Sequence, residues 1–127
     1  MQYLLVTLLL NVFPLPQRGN FRQSFAHAGE AMDRGYHVLV FPEGRRTPND
    51  AMHKFQGGAG ILWKDLDCDA LPVYLGGLAE LKTGNSRWYR SGRVFVRIGK
   101  PLALPAESST AELAALLERK VRALSIS

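Results

Sequence analysis

The sequence predicts an α/β fold on three grounds. Segments of helical periodicity alternate with short apolar runs bounded by Gly and Pro, the pattern of helices laid against a sheet. The composition, 46% hydrophobic and 21% charged over 127 residues, suits one sizeable core and excludes global disorder. No internal repeat, low-complexity tract or second domain is visible, so residues 1–127 read as a single domain.

Residues 2–10 read as helix. Their apolar run, Tyr3 to Leu10, falls far short of the roughly 20 residues of a membrane-spanning helix. No Lys or Arg precedes it and no small-residue cleavage site follows, which disfavours a secretory signal. Val12 to Leu15 form a short strand ending at Pro16. Asn20 is the expected N-cap of a helix over 21–34, where Phe21, Phe25, Ala28 and Met32 share a face, and Gly35 is its C′ residue. Residues 36–41 form a buried strand, and Pro48-Asn49-Asp50 a loop.

A second helix opens at Gly57-Gly58-Ala59-Gly60 and runs to Asp67. Its glycines either leave backbone N–H groups open to an anion or allow close helix–sheet packing. Strands follow over 71–75 and 92–98, the latter alternating Val94, Val96 and Ile98 with Phe95 and Arg97. Ser109-Thr110-Ala111-Glu112 is a capping box. Leu113, Leu116, Leu117, Val121 and Leu124 then line one face of the last helix.

The segment Phe41-Pro42-Glu43-Gly44-Arg45-Arg46-Thr47 is poorly suited to packing and well suited to holding an anion. Pro42 stops the ladder, and Gly44 lets the backbone turn or come close to a ligand. Arg45 and Arg46 carry guanidinium forks that match phosphate oxygens, and Glu43 can orient an arginine or accept a ligand hydroxyl. Arg18 ends the preceding strand region. A right-handed crossover between parallel strands would bring it to the same sheet edge as this loop.

Net charge is +5, with a pI near 9.7. Lys82, Arg87, Arg90, Arg93, Arg97 and Lys100 have no Asp or Glu between them and bracket Trp88 and Tyr89. That suits an anionic bilayer surface, and equally a solvated hairpin edge guarded by charge. No nucleic-acid recognition motif is present, so no nucleic-acid partner is expected. The lone Cys68 rules out an internal disulfide and fits a reducing compartment. The carboxylates at Asp65, Asp67 and Asp69 lack the glycine of a calcium loop, and the histidines lack zinc-ligand spacing, so no metal is expected. Half a nucleophile elbow at Gly84–Trp88 lacks its second glycine.

The segment from Phe41 to Thr47 resembles the third motif of the phospholipid/glycerol acyltransferases, the family that includes 1-acylglycerol-3-phosphate acyltransferases, usually written F-P-E-G-T-R-S. Arg45 stands where the family usually has Thr, and Thr47 replaces Ser. Asn11 to Gly19 is similar to the second motif, Lys54-Phe55-Gln56-Gly57-Gly58 to the stretch after the third, Leu71 to Leu75 to the fourth, and Val96 to Leu102 to a late strand. The resemblance implies a partial glycerolipid acyltransferase domain, a mixed sheet with helices on its faces. It implies acceptor-phosphate contacts from Arg18, Glu43, Gly44, Arg45 and Arg46, and a phosphate or donor contact from Lys54. Pro72 and Val73 fall on the acyl-donor side, although both also suit a plain buried strand.

The family's His-X4-Asp, which supplies the base for the acceptor hydroxyl, is absent. His27, His37 and His53 are followed at the required spacing by Met32, Pro42 and Gly58. The expectation is therefore an N-terminally truncated domain with no catalytic residue of its own. The parent would move a fatty acyl group from acyl-CoA or acyl-carrier protein, with no further cofactor, to a lysophospholipid hydroxyl. It would do so in the cytoplasm, peripherally, on the inner face of the membrane. A non-catalytic module that binds anionic lipid is the alternative.

Overall fold

The computed structural model describes residues 21–45, 51–81 and 90–126. The chain divides into two compact units after Val40.

In the first unit, helix α1 spans Arg22–Asp33. The expected cap, Asn20, lies outside the described residues, and Phe21 occupies the N-cap position with no side-chain hydrogen bond. Phe25 and Ala28 are buried, as their spacing predicts, and Phe21 stacks on Phe25 with ring centroids 5.7 Å apart. The helix stops at Gly35, whose φ of +83° few side-chain-bearing residues adopt. Gly35 donates its N–H to the Met32 carbonyl and Tyr36 to that of Ala31, the paired bonds of a Schellman end.

The strand expected over 36–41 is not formed. Tyr36 is 62% exposed and Leu39 76% exposed. An apolar run becomes a strand only when a neighbouring strand pairs with it, and no described strand does so here.

The second unit contains α2 (Gly57–Leu66), β1 (Val73–Gly76), a 3-10 turn (Ala79–Leu81), β2 (Phe95–Ile98) and α3 (Thr110–Ser125). Its core is the seam between α2 and α3. Phe55, Ala59, Leu62 and Trp63 are buried there with Leu113 and Ala114. Each large side chain buried in this way contributes about 1.5–3 kcal/mol. The Trp63 indole N–H donates to the Cys68 carbonyl at 2.8 Å, closing the end of α2. Gly60 lets the helices approach: a Cβ there would overlap the Thr110 carbonyl oxygen. The partner is a helix, where the sequence suggested a sheet.

At the start of α3 the capping box forms as expected. Glu112 N–H donates to Ser109 Oγ at 3.2 Å, and Ser109 N–H to Glu112 Oε2 at 2.7 Å.

The sheet among the described residues is one antiparallel pair, in which Val73 faces Ile98, Tyr74 faces Arg97, Leu75 faces Val96 and Gly76 faces Phe95. Both strands are shorter than the spans 71–75 and 92–98 suggested. A bridge between Ala70 and Leu102 continues the pairing. Between bridge and ladder, Leu71-Pro72 oppose Gly99-Lys100-Pro101, so the second strand carries one extra residue, a bulge.

Opposed residues share a face. Val73, Leu75, Val96 and Ile98 lie on one, where Leu75, Val96 and Ile98 are 39%, 54% and 65% exposed. Arg97, on the other, donates through Nη1 to the Leu124 and Ser125 carbonyls at 2.8 and 3.0 Å. Its guanidinium also lies 4.7 Å from the Phe95 ring centre. This base of the 82–100 stretch therefore caps a helix.

Candidate anion-binding site

The motif begins as a tight turn. Gly44 N–H donates to the Phe41 carbonyl at 3.2 Å, closing a four-residue β-turn with Pro42 in its second position. Gly44 has φ +68°, so the loop leaves this turn through a backbone conformation that glycine adopts without strain.

The turn is tied to the segment after it. Gln56 N–H donates to the Pro42 carbonyl at 2.8 Å, and His53 N–H to Glu43 Oε2 at 2.8 Å. Glu43 therefore closes the loop from within. Arg45 and His53 meet through Nη2 and Nδ1 at 3.0 Å. Arginine can only donate, so Nδ1 accepts and the imidazole proton sits on Nε2. The described ion pairs are Arg34–Glu30 and Arg122–Glu118, so no described carboxylate neutralises exposed Arg45.

The segment is anchored in turn. The Phe55 ring is buried, and its N–H donates to Glu118 Oε2 at 3.1 Å, from the middle of α3. Glu118 Oε1 accepts from Arg122 Nη2 at 2.8 Å. The Arg122 hydrogen bond, then the Phe55 N–H, hold the Glu118 carboxyl below the usual glutamate range. The Lys54 charge adds to this, and Lys54 itself is exposed.

The structure thus puts Glu43 and Gly44 on one turn with Arg45 directly after it, and sets Lys54 beside its anchor. Arg18 and Arg46 lie outside the described residues. Pro72 is buried, with its carbonyl accepting from Gly99 N–H at 2.9 Å, and Val73 opens β1 against Ile98. Those contacts are sheet contacts. Sequence reasoning weighed His53 only as a base or metal ligand and missed its place beside Arg45. The signal was available in its position shortly after a glycine turn rich in arginine.

Burial, then the charges of Asp69 and Asp67, push the Cys68 thiol up, so at neutral pH it is a weak nucleophile. Among the described residues, no three or more His, Cys, Asp or Glu gather as a metal site. No described helix is long and apolar enough to cross a membrane.

Comparison with known proteins bears on the same turn. The family described as Acyltransferase matches residues 5–76, which include the whole motif. No curated protein matches the chain. The crystal structure of the 1-acyl-sn-glycerophosphate (LPA) acyltransferase PlsC from Thermotoga maritima is similar, with 26% identity and a TM-score of 0.70. The match covers 80% of this chain and 44% of that one. More than half of the sequence matches one family, and the fold is part of a solved member's fold. The chain belongs to the acyltransferase family.

Proposed function

We propose that this chain forms the acceptor-phosphate grip of a glycerolipid acyltransferase. The reaction moves a fatty acyl group from acyl-CoA or acyl-carrier protein to a lysophospholipid hydroxyl, with 1-acylglycerol 3-phosphate as the acceptor. The observation that carries this reading is the closed turn at Phe41–Gly44, which is fixed by its own Glu43 and is followed by exposed Arg45, with which no described carboxylate pairs. The family resemblance assigns Arg18 and Arg46 to an acceptor phosphate as well. Support comes from the likeness to the 1-acyl-sn-glycerophosphate acyltransferase of Thermotoga maritima, of which this chain matches less than half.

In the chemistry, the acceptor oxygen attacks the thioester carbonyl carbon. Its proton passes to a base, and the carbon–sulfur bond breaks to release the thiol. The phosphate grip holds the hydroxyl in line. The base belongs to a His-X4-Asp pair, which this sequence lacks. The isolated chain is therefore inactive, and binds its acceptor from the inner face of an anionic membrane. A non-catalytic lipid-binding role rests on the same missing pair.

The test is thiol release from acyl-CoA with lysophosphatidate, run beside sedimentation with phosphatidylcholine vesicles carrying lysophosphatidate. Binding without turnover is expected. Turnover by this chain alone would overturn the missing-base reading, and failure to bind would overturn the phosphate grip.

A further inference from the structure

We infer that His53 is a positioning residue, setting the Arg45 guanidinium for an anionic headgroup. This rests on the phosphate grip proposed above. Three observations carry it. The His53 backbone is fixed, because its N–H donates to Glu43 Oε2 at 2.8 Å within the motif turn. The ring is half-buried, and Nδ1 lies 3.0 Å from Arg45 Nη2. Arg45 is exposed, and no described carboxylate pairs with it.

A guanidinium has five N–H donors, and this contact uses one. The remaining donors form a fork whose orientation is set before any ligand arrives, a match for phosphate oxygens. A neutral imidazole suits this work better than a carboxylate. It restrains the arginine while leaving its whole positive charge for the ligand. Glu43, the nearby carboxylate, instead accepts the His53 backbone N–H. The ligand class that follows is a phosphomonoester on a lipid, whose double negative charge suits a guanidinium that no described carboxylate neutralises.

The test is sedimentation of the 127-residue chain with phosphatidylcholine vesicles carrying lysophosphatidate, with melting temperatures as a folding control. Arg45→Ala and His53→Ala should each weaken binding about tenfold. His53→Gln, whose side-chain oxygen can accept the same bond, should stay within about threefold of the wild type. The double variant should bind no more weakly than Arg45→Ala, because His53 acts through Arg45. The ¹⁵N spectrum of His53 should show a bare Nδ1 that shifts on Arg45→Ala.

Undiminished binding by His53→Ala would overturn the inference and leave the phosphate grip standing. So would an equal further loss from His53→Ala in the Arg45→Ala background. Undiminished binding by Arg45→Ala would overturn the inference and remove Arg45 from the grip. Wild-type binding no better than to phosphatidylcholine alone would overturn both.

Discussion

Gly60 shows how little room one residue can have. A Cβ at this position would overlap the Thr110 carbonyl oxygen and lie 3.0 Å from the Ala114 nitrogen, both backbone atoms that cannot swing aside. Gly60→Ala gains up to about 1 kcal/mol of helix propensity. It must also force α2 and α3 apart, which costs about 1–3 kcal/mol and more at a backbone clash. We expect a net loss of stability, read as a lower urea midpoint with an unchanged slope. The run of glycines advertised either an anion site or close packing. At Gly60 packing won, while a Cβ at Gly57 would meet nothing within 4 Å beyond its chain neighbours and its own helix backbone. Sequence alone could not choose, because the choice depends on where α3 lies. The Arg45–His53 and Glu118–Phe55 contacts were illegible for a related reason. They join residues 8 and 63 positions apart through side-chain torsions that leave no periodic trace.

Elements defined by local chemistry were the readable ones. The Ser109–Glu112 box and the Gly35 stop need only a few neighbouring residues, and both formed where the sequence put them. The segment 36–41 has the composition of a strand but no described partner, and a strand is a property of the pair. Arg97 is the opposite case. It read as one base in a charged stretch, and its structural use appears only once β2 ends beside the last turn of α3. There it satisfies two carbonyls that the helix leaves open and sets a cation at the negative end of the helix dipole. Arg97→Ala should cost about 1–2 kcal/mol and speed amide exchange in the final turn of α3 while leaving its first turn protected. Equal exchange across the whole helix would contradict a local capping role.

Across the whole molecule, acid stability depends on carboxylates that the fold holds ionised. Glu118 lies below the usual glutamate range through Arg122 first and Phe55 N–H second, and Glu112 through the Ser109 N–H first. A lowered folded-state pKa means that the unfolded chain binds more protons around that pH. The stabilisation is thus complete above the ordinary glutamate value of 4.5 and is lost as pH falls through the lowered folded values. Urea midpoints should fall as pH drops below about 4.5, and Glu118→Gln should flatten that slope. An unchanged slope would show that this carboxylate is not linked to folding.

The Glu118–Phe55 bond also bears on where the chain can be cut. The family match ends at residue 76, which invites trimming everything beyond it as dispensable. Yet the carboxylate that secures the Phe55 amide sits on α3, beside the tie between Gln56 and Pro42. Shortened versions must therefore keep the tail through Arg122, or the arginine turn loses its outermost brace.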